Sequence, residues 1–395
     1  VYGLPVYNSL QKEVSFSVNK NNADIATGQV TYKPGADNSA NNKQGKDNFY
    51  TAEELPGYAH SFLLTEIVSP DYVDKTGDGV TDDDMGDGVK FNYTRLYGDN
   101  TMFRWRTPFA ENKATYNEGL KTDNSDDKGS YIYGEKEIWY LHSLESKSMV
   151  ATFTLNDPAK GELREDAYGA KSENGGREAA QPLRYLKQID LYSKADFLKN
   201  KDAAKPIKTV YFYYSYELCN GNPSSSAGKG KLTLKKIWFT YNKNNKEQKN
   251  PYIFQYHPQT AGDVNSAPKA EYNPGYDPKG FDRWGNYKDA AYNPALLSNA
   301  DYPYTLQTGN NNWDSVKAAT GAAAWTLSDI MLPSGGRMNV QYESDDYAYV
   351  QNKRAMQMCT LVGMGGSGQL TGKKNILYGG PDEGYKDYLY AFIKV

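Results

Sequence analysis

The residues best suited to chemistry lie together in Asp74-Lys-Thr-Gly-Asp-Gly-Val-Thr-Asp-Asp-Asp84. A Ca²⁺ ion takes about six to eight oxygens, and a tight glycine turn supplies them by folding alternate side chains inward. Asp74, Thr76 and Asp78 fall at loop positions 1, 3 and 5, Gly79 at 6, the Val80 carbonyl at 7 and Asp82 at 9. Position 12 is Met85, which has no bidentate carboxylate, so Asp83 or Asp84 must take its place. The expected ligand set is Asp74, Thr76, Asp78, Val80, Asp82 and Asp84, holding Ca²⁺ in a structural role. The competing reading of the same residues is a solvated acidic turn.

Other chemistries have less behind them. A hydrolase needs a carboxylate pair or a nucleophile with a base. Glu135, Glu137, Glu343, Asp345 and Asp346 offer carboxylates, but with 48 acidic residues near pairs arise by chance. His60, His142 and His257 lie in strand-like or tyrosine-rich contexts with no Ser-His-Asp or Cys-His spacing, so a structural role is expected for each. Gly363-Met-Gly-Gly-Ser-Gly368 lacks the Lys-Ser/Thr of a phosphate loop and reads as a glycine loop. Trp105, Trp139, Trp238, Trp284 and Trp313 could stack on sugars, against the commoner outcome of sheet packing. Asn92-Tyr-Thr94 matches a glycosylation acceptor. Cys219 and Cys359 are expected to be buried thiols, with a disulfide between them left open.

Composition bounds the class of molecule that must position these groups. The 395 residues include 45 Lys and Arg against 48 Asp and Glu, a net charge of −3, without the basic excess that nucleic acid or an anionic membrane surface requires. Mean hydropathy is −0.78, and no apolar run approaches a membrane span. Tyrosine dominates the aromatics, 35 against 13 Phe and 6 Trp, which suits broad, half-wet sheets better than a helical core.

Strand signals recur along the chain. Residues 14–18 and 89–93 alternate strictly, and apolar runs at 58–67, 149–155, 209–216, 231–241, 252–256 and 338–342 lie between Gly, Asn, Asp and Pro clusters. Residues 231–241 and 252–256 bracket a polar hairpin loop, and Pro333-Ser-Gly-Gly336 turns a second hairpin. Helix signals are confined to 183–201, which fits a strand equally well, and 347–358. Polar stretches at 19–48, 111–128, 157–180 and 221–230 read as loops. The expected fold is all-β, mainly antiparallel sheets with long loops and a few short helices, sandwich-like or shell-like, with modules at 1–165 and 166–395.

Two segments carry a family resemblance. Phe281-Asp-Arg-Trp-Gly-Asn-Tyr-Lys288 resembles the Asp-x-Trp-Gly-x-Tyr element of large Bacteroidetes surface proteins of the Rhs/YD-repeat kind. Ile330-Met-Leu-Pro-Ser-Gly-Gly-Arg-Met-Asn-Val-Gln-Tyr-Glu343 is similar to their Ile-x-x-Pro-x-Gly-Gly hairpin, and the strands at 230–241 and 252–256 fit the same order. The likeness spans roughly residues 180–350, and no Tyr-Asp repeat array accompanies it. It implies an internal piece of a very large β-protein, secreted or on the cell surface outside the outer membrane. Its partners would be flanking segments of the same chain, other copies in an assembly, or a glycan. On this reading the segment is structural and not an enzyme. A carbohydrate-binding β-module of a surface adhesin or enzyme is the alternative, and a glycoside hydrolase the third.

Overall fold

The structure, a computed structural model, describes residues 1–19, 22–24, 27–98, 101–123, 125–242, 244, 248–256, 270–293, 297–300, 302–304, 315–343, 349–350, 352–354, 360–365 and 390–394. His257, Trp313, Asp345, Asp346 and Cys359, together with residues 366–368 of the glycine loop, lie outside them. The described chain divides into two compact units, Val1–Pro278 with Trp325–Val340, and Lys279–Ala324 with Gln341–Val395.

β1 (Tyr2–Val18) organises the first sheet. Its alternation buries Val14, Phe16 and Val18, the period-2 pattern of a strand with one face on a core. β2 (Ala23–Asp24), β3 (Gln29–Thr31), β4 (Tyr50–Leu55) and β5 (Tyr58–Leu64) follow, with β8 (Phe103–Thr107), β9 (Lys113–Tyr116) and β10 (Asp127–Lys136) further on. The order is β2-β3-β9-β10-β1-β4, with β5 also on β1 and β8 on β10, and every pairing is antiparallel. Val14, Phe16, Val18, Val30, Tyr32, Ala114, Tyr131 and Tyr133 form the hydrophobic core on this sheet. Phe16 lies opposite Gly129, where a Cβ would stand 2.6 Å from Val30 Cγ2. Only a residue without a side chain lets Phe16 and Val30 close over that position. The core tyrosines keep their hydroxyls bonded: Tyr131 donates to Glu173 Oε1 (2.6 Å) and Tyr32 to Asn174 Oδ1 (3.0 Å). The buried Arg106 donates to the Tyr32 hydroxyl (3.1 Å) and lies over the Tyr131 ring at 4.4 Å. Burial pushes the Tyr131 hydroxyl up, so it stays a neutral donor.

The second sheet contains β6 (Glu66–Val68), β7 (Gly88–Arg95), β11 (Trp139–Glu145), β12 (Met149–Leu155), β15 (Leu186–Ser193), β16 (Lys208–Leu218), β17 (Lys231–Tyr241), β18 (Tyr252–Gln255), β19 (Asp329–Met331) and β20 (Arg337–Asn339). They run β20-β19-β18-β17-β16-β15-β12-β11-β7-β6, all antiparallel. Its cohesion differs from that of the first sheet. Among the described residues of its strands, the buried apolar side chains are Val150 and Leu218, whereas Ser143, Asp190, Thr209, Thr233, Thr240, Gln255 and Asp329 are buried polar groups. Lateral pairs on facing strands hold it instead. Tyr211 stacks on its partner Trp238 at 5.3 Å, Lys208 lies 4.2 Å from the Phe239 ring, and Lys236 lies over Tyr213. Thr209 donates to the buried Asp190 at 2.6 Å.

Several expectations change in the folded chain. The run at 58–67 is two strands, β5 in the first sheet and β6 in the second, because the chain changes sheets at Thr65, whose amide bonds the Val1 carbonyl. The polar stretches at 19–48 and 111–128 hold β2, β3 and β9, and that at 157–180 holds most of the hairpin β13 (Tyr168–Ser172) and β14 (Gly175–Pro182). The segment at 183–201 resolves into β15 followed by α1 (Lys194–Asn200). The boundary at 165/166 falls inside the first unit, and the ten-stranded sheet continues across it through the β12–β15 pairing.

The second unit includes α2 (Ser315–Ala322) and two small hairpins, β21 (Tyr349–Val350) with β22 (Lys353–Arg354) and β23 (Thr360–Gly365) with β24 (Tyr390–Lys394). Of the helix expected at 347–358, residues 347–348, 351 and 355–358 lie outside the described residues, and the described ones form the β21–β22 hairpin, with Asn352 in the left-handed region at φ 62°, a conformation that interrupts a helix. The chain is therefore all-β with short helices, and among the described residues no helix is long and apolar enough to cross a membrane.

Candidate functional site

The acidic loop connects β6 to β7, two neighbouring strands at one edge of the ten-stranded sheet. A small ladder closes its base, with Val73 and Met85 exchanging backbone bonds of 3.1 and 3.2 Å and the Ser69 amide donating to Asp87 O at 2.8 Å. Gly86, at φ 73°, is required there, since a Cβ would stand 2.7 Å from the Asp71 and Tyr72 backbone.

Inside the loop the carboxylates organise the backbone. Asp74 Oδ1 accepts from the amides of Thr76 (3.2 Å) and Gly77 (2.6 Å), and its Oδ2 from Gly79 (3.0 Å). The Thr76 hydroxyl donates to Asp78 Oδ1 at 2.6 Å. Asp84, 5% exposed, accepts from the amides of Lys75 (3.1 Å) and Thr81 (2.8 Å) and from the Tyr72 hydroxyl (2.9 Å). The Gly77 and Gly79 amides hold the Asp74 carboxyl below the usual range, and the Thr81 amide does so first for Asp84.

Of the six expected ligands, Asp74, Thr76 and Asp78 share one turn. Asp84 sits at the base among amides. Asp82 is drawn to Lys194, 2.6 Å away on α1, and Val80 packs its side chain against Gly88. Among the described residues no group of three or more His, Cys, Asp or Glu is gathered to hold a metal. The structure adds Glu66, whose Oε1 lies 2.7 Å from where a Gly79 Cβ would be, and Lys147, which donates to Asp84 O at 2.9 Å. Neither has a signature in the loop's own sequence, because both arrive through strand pairing.

Replacing Asp84 with Ala removes the acceptor of two amides and a phenol at the loop base. Limited proteolysis within residues 70–87 is expected to accelerate roughly tenfold, as buried donors lose their partner. An unchanged cleavage rate would show that the base ladder alone closes the loop.

No family model matches the chain, and no curated protein or solved structure matches it.

The remaining candidates are dispersed. His60 and His142 are exposed on their strands. Glu135 accepts from Tyr133 Oη (2.6 Å), whereas Glu137 pairs with Arg95 (3.3 Å) and accepts from Trp139 Nε1 (3.1 Å). Glu343 is exposed. Trp105 lies across Gly134, where a Cβ would stand 2.6 Å from its ring, and Trp238 is stacked on Tyr211, so both are sheet-packing residues. Trp284 is 52% exposed in the turn at 281–288, whose Asp282 accepts from the amides of Trp284 and Asn286, both at 2.9 Å. Asn92 donates to Ser143 Oγ (3.0 Å) and Glu145 Oε1 (2.8 Å), so its amide is already engaged. Cys219 is a buried free thiol pushed up by burial.

Proposed function

We propose that the chain is a non-catalytic structural or interaction segment of a giant secreted or cell-surface bacterial β-protein. The observation that carries this reading is the ten-stranded sheet, whose residues are mostly half-buried on both faces and whose cohesion comes from stacked rings, lysine–aromatic pairs and buried Thr and Asp. Such a sheet spends little apolar area on a core of its own and leaves two broad, amphipathic faces for neighbouring protein. The resemblance of residues 281–288 and 330–343 to Rhs/YD-repeat surface proteins supports the same reading. Sizing the intact polypeptide from its source tests it: a mass far above 44.2 kDa is expected, and a native mass near 44.2 kDa overturns it.

In this reading the loop at 74–84 takes Ca²⁺ outside the cell. Asp74, Thr76, Asp78 and Glu66 supply the hard oxygen donors, and the Asp74 bonds to Thr76, Gly77 and Gly79 preorganise the turn. Calorimetric titration with CaCl₂ is expected to give a dissociation constant of about 10⁻⁴–10⁻³ M, the range of extracellular modules. Asp78→Asn keeps an acceptor for Thr76 while removing a charge, and is expected to weaken binding roughly tenfold. The absence of any saturable heat with the native chain would sink the Ca²⁺ assignment.

A further inference from the structure

At one end of the ten-stranded sheet, residues of the adjacent strands β7, β11, β12 and β15 surround a cavity of about 430 Å³, within the size range of small-molecule sites. Its rim is the connection after β12, built to hold one shape. The buried Asn156 donates to Glu162 O (2.6 Å) and accepts from the Tyr185 amide (2.7 Å). Asp157 caps the 3₁₀ turn Pro158–Lys160 through the Ala159 amide (3.0 Å), and Gly161 ends that turn at φ 78°.

Four cations line the cavity: Arg95, Lys160, Arg184 and Lys187. Three have carboxylate partners. Arg95 pairs with Glu137 at 3.3 Å, Lys160 with Asp157 at 3.3 Å, and Lys187 with Glu162. Arg184 has no ion pair among the described residues, and its Nη1 is buried without a hydrogen-bond partner. No described residue accepts a hydrogen bond from the rest of the Arg184 guanidinium either, and because donors of this kind are nearly always satisfied, the group lining the cavity points to a missing acceptor. The nearby phenols leave its charge uncompensated: burial pushes Tyr97 up to about 12 and raises Tyr140, so both are neutral at physiological pH. The backbone of Arg184 is fixed from both sides, its amide donating to Tyr140 Oη (2.9 Å) and its carbonyl accepting from Arg164 Nη1 (3.0 Å).

One leftover positive charge calls for one negative charge, and a planar guanidinium matches a carboxylate in geometry. The neutral polar lining of Thr94, Thr154, Asn156 and Gln188 suits hydroxyl groups, and Leu96, Leu155 and Pro158 supply apolar contact. We propose that this cavity binds a small carboxylate-bearing polyol, an acidic sugar, with Arg184 as the anchor of its carboxylate. The inference does not rest on the scaffold reading, since the cavity lies wholly within the first unit.

The test is titration of the full chain with sodium glucuronate and sodium galacturonate, followed by calorimetry or amide chemical shifts. Glucose and acetate serve as comparators carrying the ring without the charge and the charge without the ring. Saturable binding of at least one uronate is expected, roughly tenfold or more tighter than glucose and than acetate, and weakened to a similar degree by Arg184→Gln. Failure of both uronates to saturate overturns the proposal and leaves Nη1 to a water molecule. Acetate binding as tightly as the uronates, or an Arg184→Gln chain with a native circular dichroism spectrum and unaltered affinity, overturns it as well. The four-ligand comparison on the native chain stands even where the variant does not fold.

Discussion

Lys128→Met is expected to destabilise the eight-stranded sheet by about 3–5 kcal/mol, the cost of leaving one charge of a buried pair without its partner. The Lys128 side chain is 1% exposed and that of Asp126 is 0% exposed. The lysine Nζ bonds both Asp47 oxygens, at 3.0 and 3.1 Å, and Asp126 Oδ2. Asp126 also accepts from Thr122 Oγ1 (2.6 Å), from Ser17 Oγ (3.3 Å) and from the Lys46 amide (3.3 Å). These bonds join the end of β1, the 42–49 connection and the start of β10, so the cluster ties three remote segments together. Burial alone would raise the Asp126 carboxyl, but the bonds from Lys128 and Thr122 outweigh it and hold the group at about 2. A carboxyl depressed on folding stabilises the fold fully above the unfolded carboxylate range near pH 4, and that contribution is lost as pH falls through about 2. Acid unfolding of the native chain is therefore expected to steepen between about pH 4 and pH 2, and Lys128→Met, which removes the main bond holding Asp126 down, to flatten that step.

Because the chain has two units, the readout is amide hydrogen exchange in β1 and β10, not a single global transition. A loss of protection worth less than about 1 kcal/mol would mean that water replaces the lysine at little cost. Lys128→Met combined with Asp126→Asn is expected to recover part of the loss, since the uncompensated charge goes with it.

Phe16→Ala is expected to cost a comparable amount, about 3–5 kcal/mol, by a different route. Phe16 is fully buried, with ring centroids 5.0 Å from Tyr32 and 6.0 Å from Tyr131, both edge-on. The truncation removes transfer free energy and leaves a void that Gly129, opposite on β10, has no side chain to fill. The rigid rings of Tyr32 and Tyr131 are tethered by hydroxyl bonds to Asn174 and Glu173, so the site relaxes poorly. Gly129→Ala tests the converse. Its Cβ meets Val30 Cγ2 at 2.6 Å, and overpacking of that kind costs about 1–3 kcal/mol. Urea unfolding monitored at β1 and β10 amides checks both; a loss below about 1.5 kcal/mol for Phe16→Ala would show a core that collapses around the gap.

What the sequence determined by itself is local. The alternation of Val14, Phe16 and Val18 placed β1 with its buried face, and the Pro333-Ser-Gly-Gly336 turn placed the β19–β20 hairpin, with Gly335 at φ 86°. The first half of the acidic loop was legible for the same reason: Asp74 reaches the amides of Thr76, Gly77 and Gly79 within five residues of itself. Tyrosine abundance announced half-wet sheets. Where the periodic signal was short it misled, as at the described residues 349–350 and 352–354, which form a hairpin with Asn352 in the left-handed region in place of a helix.

Only the tertiary structure decided which residues meet across the chain. Asp82 is taken by Lys194, 112 residues away, and Glu66 is brought to Gly79 by the β6–β7 ladder. Arg184 is placed in its cavity, with no ion pair among the described residues, because β12 pairs with β15 and the Tyr140 hydroxyl on β11 holds its amide. Strand period and turn chemistry act over a few residues and are written in composition and spacing. Ion pairs, orphaned donors and cavities depend on sheet register, which sums contributions from the whole fold.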